Sequence, residues 1–174
     1  MFNIRNISKS SLKYVLLGGG IIIAAAASVI IFCIIGDKSK SDITPISETA
    51  YMTIESSGYM AEETSAAGVS PLVLDDSLCN AASMRSLEMD YAQNMSHTRP
   101  DGTSFYTVFK EFNISYRYSG ENIAWGYTSP KSVVEAWKNS PSHYENMISS
   151  KFTKLGVGYS QNSKSPYWTQ LFTD

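Results

Sequence analysis

The chain holds only two histidines in 174 residues, and both stand beside turn signals. His97 lies in Ser96-His97-Thr98-Arg99-Pro100-Asp101-Gly102, where Pro100 suits the second position of a type I turn and Gly102 the fourth. His143 lies in Ser140-Pro141-Ser142-His143, a helix-start signature with a hydroxyl at the N-cap and proline at the first helical position. Ser140 would accept a bond from the His143 backbone N–H, and the helix dipole there disfavours protonation of the ring. A neutral imidazole is what metal ligation or general-base work requires. Glu121 supplies a carboxylate in a similar context, an expected Gly120-Glu121-Asn122 turn. Together the three side chains are candidate catalytic residues, or ligands for Zn²⁺ with a fourth position open to water. The competing reading is a hydrogen-bonded network that locks loops together. No Gly-x-Ser-x-Gly elbow occurs, and Cys79 falls on a helical face as a buried, inert thiol, so no Ser or Cys nucleophile stands out.

The elements that must position these groups can be read from periodicity. Leu74, Leu78, Ala81/Ala82, Met89 and Ala92 recur at helical intervals between Leu72 and Met95, with Asp75 and Asp76 at the acid-favouring end. Phe105 to Phe112 reads as a short helix with Phe105, Val108, Phe109 and Phe112 on one face, and Ile114 to Tyr118 as a short extended segment. Lys131 to Lys138 reads as a helix with Val133 or Val134, Ala136 and Trp137 inward. Phe152–Tyr159 and Tyr167–Phe172 are strand-like runs joined by a polar loop, which predicts an antiparallel hairpin. Helices first and a hairpin last predict an α+β fold with a small antiparallel sheet.

Upstream the composition changes. Tyr14 to Gly36 carries no charge and is long enough for a transmembrane helix, with Arg5, Lys9 and Lys13 on its N-terminal side only. That pattern predicts a cytoplasmic segment over 1–13, a single-pass signal-anchor over 14–36, and a membrane location with the C-terminal part exported. The rival reading is secretion after signal cleavage near Ala24–Ala27. Residues 37–70, rich in Ser, Thr, Lys and Glu, read as a flexible linker, although Tyr51, Met52, Tyr59 and Met60 could dock on something. Residues 71–174 then form the globular domain.

A net charge of −2 gives no reason to expect nucleic acid as a partner. Cys33, inside the apolar run, and Cys79 cannot plausibly meet, so there is no disulfide framework. Trp125, Trp137 and Trp168 read as core or cleft walls. Tyr106, Tyr116, Tyr118, Tyr127, Tyr144, Tyr159 and Tyr167 suit a surface that binds glycans, peptides or lipids.

Several motifs recur in a recognisable order: Leu78-Cys79-Asn80-Ala81-Ala82 with Arg85-Ser86, the His97 loop, Gly120-Glu121-Asn122-Ile123-Ala124, Trp137 through His143, Leu155-Gly156-Val157-Gly158 and Tyr167-Trp168-Thr169-Gln170. In that order they resemble the CAP superfamily of cysteine-rich secretory, antigen 5 and pathogenesis-related-1 proteins, in its short bacterial SCP-like branch. The resemblance covers Leu72 to Phe172. It implies an α-β-α sandwich, usually extracellular, with a cleft lined by two histidines and two acids. His97 matches the first cleft histidine and Glu121 the Gly-Glu-Asn acid, while the bacterial Ser-Pro-x-His pattern offers His143 as the second histidine. Ser140 stands where plant and animal members usually place a second Glu, and Tyr167-Trp168 stands in place of their His-Tyr. The function this implies is an extracellular ligand-binding or interaction module whose His/Glu cleft takes a divalent metal, with a lipid, glycan, peptide or protein as ligand. The alternatives are a metal-dependent hydrolase of peptide or cell-wall bonds, and a protein-partner scaffold at the cell surface.

Overall fold

The computed structural model describes residues 12–17, 20–25, 47–162 and 164–174. Strands β1 (Leu12–Leu17) and β2 (Gly20–Ala25) pair antiparallel, from Leu12 opposite Ala25 to Leu17 opposite Gly20. They occupy part of the apolar run in which a single helix is expected, and their Ile and Val residues suit a strand as readily as a helix. The rest of that expected span and residues 37–46 of the linker lie outside the described residues, as does most of the expected cytoplasmic segment.

The linker reading needs correction from Glu48 onward. Glu48–Ala66 is helix α1, and it buries Ser56, Met60 and Thr64. Met60 belongs to the main core cluster, with Met52 and Tyr59 packed against it. Its apolar face is only a few side chains wide and is completed by small hydroxyl residues, which is why the segment reads as a spacer. Residues 52–174 form one unit, so the globular part starts well before Pro71.

Asp75 caps helix α2 (Asp76–Ala92), its Oδ1 accepting from the Leu78 N–H at 2.9 Å. A 3₁₀ turn at Phe105–Thr107 runs into helix α3 (Val108–Glu111), and Val108 and Phe109 are buried beside α2. Helix α4 (Pro130–Lys138) is capped by Ser129 and buries Val133, Val134 and Trp137. Helix α5 (Pro141–Met147) follows Ser140 at once.

Four strands make the sheet: β3 (Val73–Leu74), β4 (Ser119–Trp125), β5 (Lys154–Ser160) and β6 (Tyr167–Thr173), in the order β3-β5-β6-β4. The expected β5–β6 hairpin is present, and β4 adds antiparallel to β6. The short β3 runs parallel to β5, so the sheet is mixed and not wholly antiparallel. Gly120-Glu121-Asn122, expected as a turn, lies inside β4. Glycine and asparagine are poor strand formers, and here the ladder to β6 decides the matter, with Glu121 opposite Leu171 and Asn122 opposite Gln170.

Side-chain alternation along the strands separates two faces. Leu155, Val157, Tyr159, Trp168 and Phe172 point into the cluster built with α1, α4 and α5. Leu171 points the other way, into the cluster with Leu78, Ala81 and Ala82 of α2. On that face β5 offers glycine, because α2 lies almost against its backbone. A Cβ on Gly156 would sit 2.3 Å from the Leu78 carbonyl, and one on Gly158 2.2 Å from that of Ala82. Helices therefore cover both faces, and β4 forms the edge near which the candidate residues gather.

Candidate functional site

The site is built from three pieces of chain around β4. Alternation sends Glu121 to the α2 face and Asn122 to the opposite one. Glu121 is fully buried, and each carboxylate oxygen has its own partner. Oε1 accepts from Arg85 Nε at 2.9 Å and Oε2 from His97 Nδ1 at 2.6 Å. A carboxylate only accepts, so Nδ1 carries the proton of that bond, and Nε2 is the ring nitrogen left over. The His97 side chain is 56% exposed, so it caps a buried pair while presenting Nε2 outward.

The His97 loop is rigid for reasons legible in its sequence. Gly102 N–H donates to the Arg99 carbonyl at 2.9 Å with Gly102 at φ +84°, which closes the expected Arg99-Pro100-Asp101-Gly102 turn. Phe105 N–H donates to the His97 carbonyl at 3.0 Å, so His97 stands at the base of a small hairpin. Arg99, buried inside it, grips Glu88 and Glu111. Arg85 joins the same network: Nη1 donates to Glu88 at 2.6 Å and Nη2 to the Ser96 carbonyl at 2.7 Å. Burial alone would raise the Glu88 carboxyl, but hydrogen bonds from Arg99 and Arg85 outweigh it and hold the group below the ordinary carboxylate range. Hydrogen bonding to Glu88 in turn raises Arg99.

His143 comes from the other side of the β4 edge, in the first turn of α5. Ser140 occupies the N-cap but makes no side-chain bond to the helix backbone. Its Oγ lies 2.8 Å from His143 Nδ1 instead. The hydroxyl thus fixes the ring and not the backbone N–H expected from the sequence. Burial, then the nearby charge of His97, lowers the His143 imidazole below its usual value, which agrees with the expected neutral ring. Asn122 ties this side together, its amide donating to the His143 carbonyl at 3.1 Å and to Gln170 Oε1 at 3.0 Å. Asn146 donates back to Asn122 Oδ1 at 2.9 Å.

Of the three candidate residues, His97 and Glu121 are in direct contact, and His143 stands apart, bonded to Ser140. The donor set does not fit the expected Zn²⁺ centre. Both oxygens of Glu121 are already committed, one of them to a guanidinium that a cation would have to displace. Among the described residues, no three His, Cys, Asp or Glu side chains gather to hold a metal ion.

Arg85, Glu88 and the Asn122–Asn146–Gln170 amides are the residues that site reasoning from sequence missed. For Arg85 a signal existed: it falls on the apolar face set by Leu78, Ala81, Ala82 and Met89, where an unpaired guanidinium would be costly. Burial of Trp137 and Trp168 matches the core reading, whereas Cys79, expected to be buried, is half-buried, and what burial it has pushes its thiol up. Trp125 is exposed, with Tyr106, Tyr116, Tyr118 and Tyr127, whereas Tyr159 and Tyr167 are buried.

The model of the cysteine-rich secretory protein family, CAP, matches residues 57–172. YkwD of Bacillus subtilis is 39% identical over 105 residues, which cover 60% of this chain and 40% of that protein. An extracellular protein containing an SCP domain from Bacillus anthracis has a solved structure with a TM-score of 0.67 at 16% identity. The match covers 96% of this chain and 62% of that one. An outer surface protein of Borrelia burgdorferi gives a TM-score of 0.62 at 25% identity, over 68% of this chain and 88% of that one. The chain therefore spans less than two thirds of the length of YkwD and of the B. anthracis protein. These relatives correct the single-pass membrane location expected from residues 14–36, since the solved ones are described as extracellular or outer-surface proteins. Among the described residues, no helix is long and apolar enough to cross a membrane.

Proposed function

The chain belongs to the cysteine-rich secretory protein (CAP) family, and from that premise we propose that it acts outside the cell as a ligand-binding module and not as a hydrolase. The observation that carries this reading is the state of Glu121. A general base needs a carboxylate oxygen within reach of the proton it removes. Here one oxygen is held by Arg85 and the other by His97, and the side chain has no exposed surface. Ser140, where plant and animal relatives usually carry a second acid, is spent on orienting His143. The arrangement is a fixed scaffold that presents the outer nitrogen of His97 to a ligand.

The surroundings support binding. Tyr116 and Tyr118 precede β4, and Trp125 and Tyr127 close it, all of them exposed. From Tyr118 to Trp125 an extended chain covers roughly 23 Å. A ligand lying along the β4 edge would therefore meet aromatic surface at both ends and His97 between them. Exposed aromatic rings of this kind anchor sugars, peptides and lipid chains alike. The extracellular and outer-surface descriptions of the two solved relatives support the location.

The test is sedimentation of the purified protein with cell-envelope material, alongside Trp125→Ala and His97→Ala. Saturable binding that weakens about fivefold or more in either variant, with unchanged thermal midpoints, is the expected result. Binding that ignores both substitutions, or none at all, would overturn the reading.

A further inference from the structure

The β4–β6 ladder ends with Ser119 opposite Thr173, so the next residues outward, Tyr118 and Asp174, come level just beyond the sheet. The chain bends at Arg117 and Tyr118 before β4 begins. Their two backbone N–H groups are given to one carboxylate. Asp174 Oδ1 accepts from the Arg117 N–H at 2.7 Å and from the Tyr118 N–H at 2.9 Å. Oδ2 accepts from Arg117 Nε at 2.8 Å. Two successive N–H groups turned on one anion make a small backbone nest, which fixes the bend. We propose that Asp174 is a positioning residue for ligand binding along the β4 edge, holding the bend that presents the Tyr118 ring. The inference rests on the binding role proposed above and adds to it the group that sets one of its aromatic anchors.

The contact does little for the fold as a whole. The Arg117 side chain is 83% exposed, and an ion pair in that setting adds little to stability. Its effect is local. Ile114 N–H closes on the Phe109 carbonyl and β4 starts at Ser119, so the chain between them is held at its far end by Asp174.

Tyr118 is the side chain that this placement serves. It is 49% exposed, as an anchor for a ligand must be. Lys151 Nζ stands 5.6 Å from the centre of its ring, within range of a cation–π contact. The ring is therefore held by Lys151 as well as through its own backbone. An anchor already in place avoids the ordering that a mobile side chain undergoes on binding. For one immobilised side chain that is worth about two- to tenfold in affinity.

The clasp also withstands acid. The Tyr118 N–H first, then the Arg117 side chain and N–H, hold the Asp174 carboxyl well below the ordinary aspartate range. It stays ionised where an ordinary aspartate takes up its proton.

The experiment compares binding of the purified full chain to the same cell-envelope material across five variants. These are Asp174→Ala, Asp174→Asn, Tyr118→Ala, the Asp174→Ala/Tyr118→Ala pair, and Trp125→Ala as a reference from the other end of β4. Thermal midpoints are recorded for each, and ¹⁵N relaxation reports the order of the Arg117 and Tyr118 N–H groups. Asp174→Ala should weaken binding about two- to tenfold, with a nearly unchanged midpoint and added motion at residues 117 and 118. Asp174→Asn keeps an acceptor oxygen for both N–H groups and should recover most of that affinity. In the Tyr118→Ala background Asp174→Ala should cost nothing further, a result that a merely structural residue would not give. The assignment is overturned by equal losses with and without Tyr118, or by Asp174→Asn binding as weakly as Asp174→Ala. Binding that Trp125→Ala weakens and Asp174→Ala leaves intact would sink this inference alone. A wild type that binds no envelope material would overturn the proposed function and this inference with it.

Discussion

Arg85 Nε lies 2.9 Å from Glu121 Oε1, and both side chains are wholly buried. This pair joins the middle of α2 to the edge strand of the sheet, with His97 closing its outer end. A buried pair of this kind is weak evidence for net stability, but removing one partner leaves an uncompensated charge. Arg85→Met should therefore cost about 3–5 kcal/mol in urea unfolding, and pairing it with Glu121→Leu should recover a large part of that loss. A cost below about 1 kcal/mol for the single variant would contradict the pairing.

Contact between α2 and β5 leaves no room at Gly158. A Cβ there would meet the Ala82 carbonyl at 2.2 Å, and a helix backbone cannot rotate away as a side chain can. Gly158→Ala should destabilise the protein by about 3 kcal/mol or more, beyond the usual cost of overpacking. Gly126→Ala is an informative control, since space around it is open and only its φ of +88° opposes the change. Denaturant midpoints of the two variants decide the point.

His143 links stability to pH in a definite direction. Its folded-state value is lowered, by burial first and by the charge of His97 second. The unfolded chain then binds the proton more readily, so this contribution is fully present above the ordinary histidine value near 6.5. It is lost as pH falls from there through the lowered folded value. Wild type and His143→Asn should differ in thermal midpoint by a margin that shrinks on acidification from pH 7.5 to 5. A constant margin would show that the ring is not held neutral.

Zinc offers a check on the donor set. A metal site used by the folded protein would raise stability by about 2.7 kcal/mol at one hundred times its dissociation constant. With Glu121 committed to Arg85 and His97, added Zn²⁺ should leave the thermal midpoint where it was. A rise of several degrees that Glu121→Gln abolishes would place Glu121 among metal ligands after all.

Much of this fold is written locally, and the part that is not has a common cause. Caps at Asp75 and Ser129, the Pro100–Gly102 turn and the β5–β6 hairpin all follow from residues within a few positions of one another. β4 does not, because Gly120 and Asn122 disfavour strands and only pairing with β6, some fifty residues on, makes them one. Helix α1 was obscured by a face made of Met52, Tyr59 and Met60 eked out with Ser56 and Thr64. Within the site, His97 could be named from motif and turn chemistry and Glu121 from its motif alone, since the turn expected there is strand. That Glu121 is locked by Arg85 depends on a contact across 36 positions. This is the feature that turns an apparent acid–base set into a scaffold.

The central claim is that the Glu121 carboxylate is structural and performs no chemistry. Prolonged incubation of the purified protein with peptide and cell-wall substrates, read by mass spectrometry for new termini, tests it most directly when Glu121→Gln is run in parallel. The account predicts no cleavage by either protein, with binding to envelope material retained in the wild type. Bond cleavage by the wild type that Glu121→Gln abolishes, while the variant keeps its fold, would contradict it.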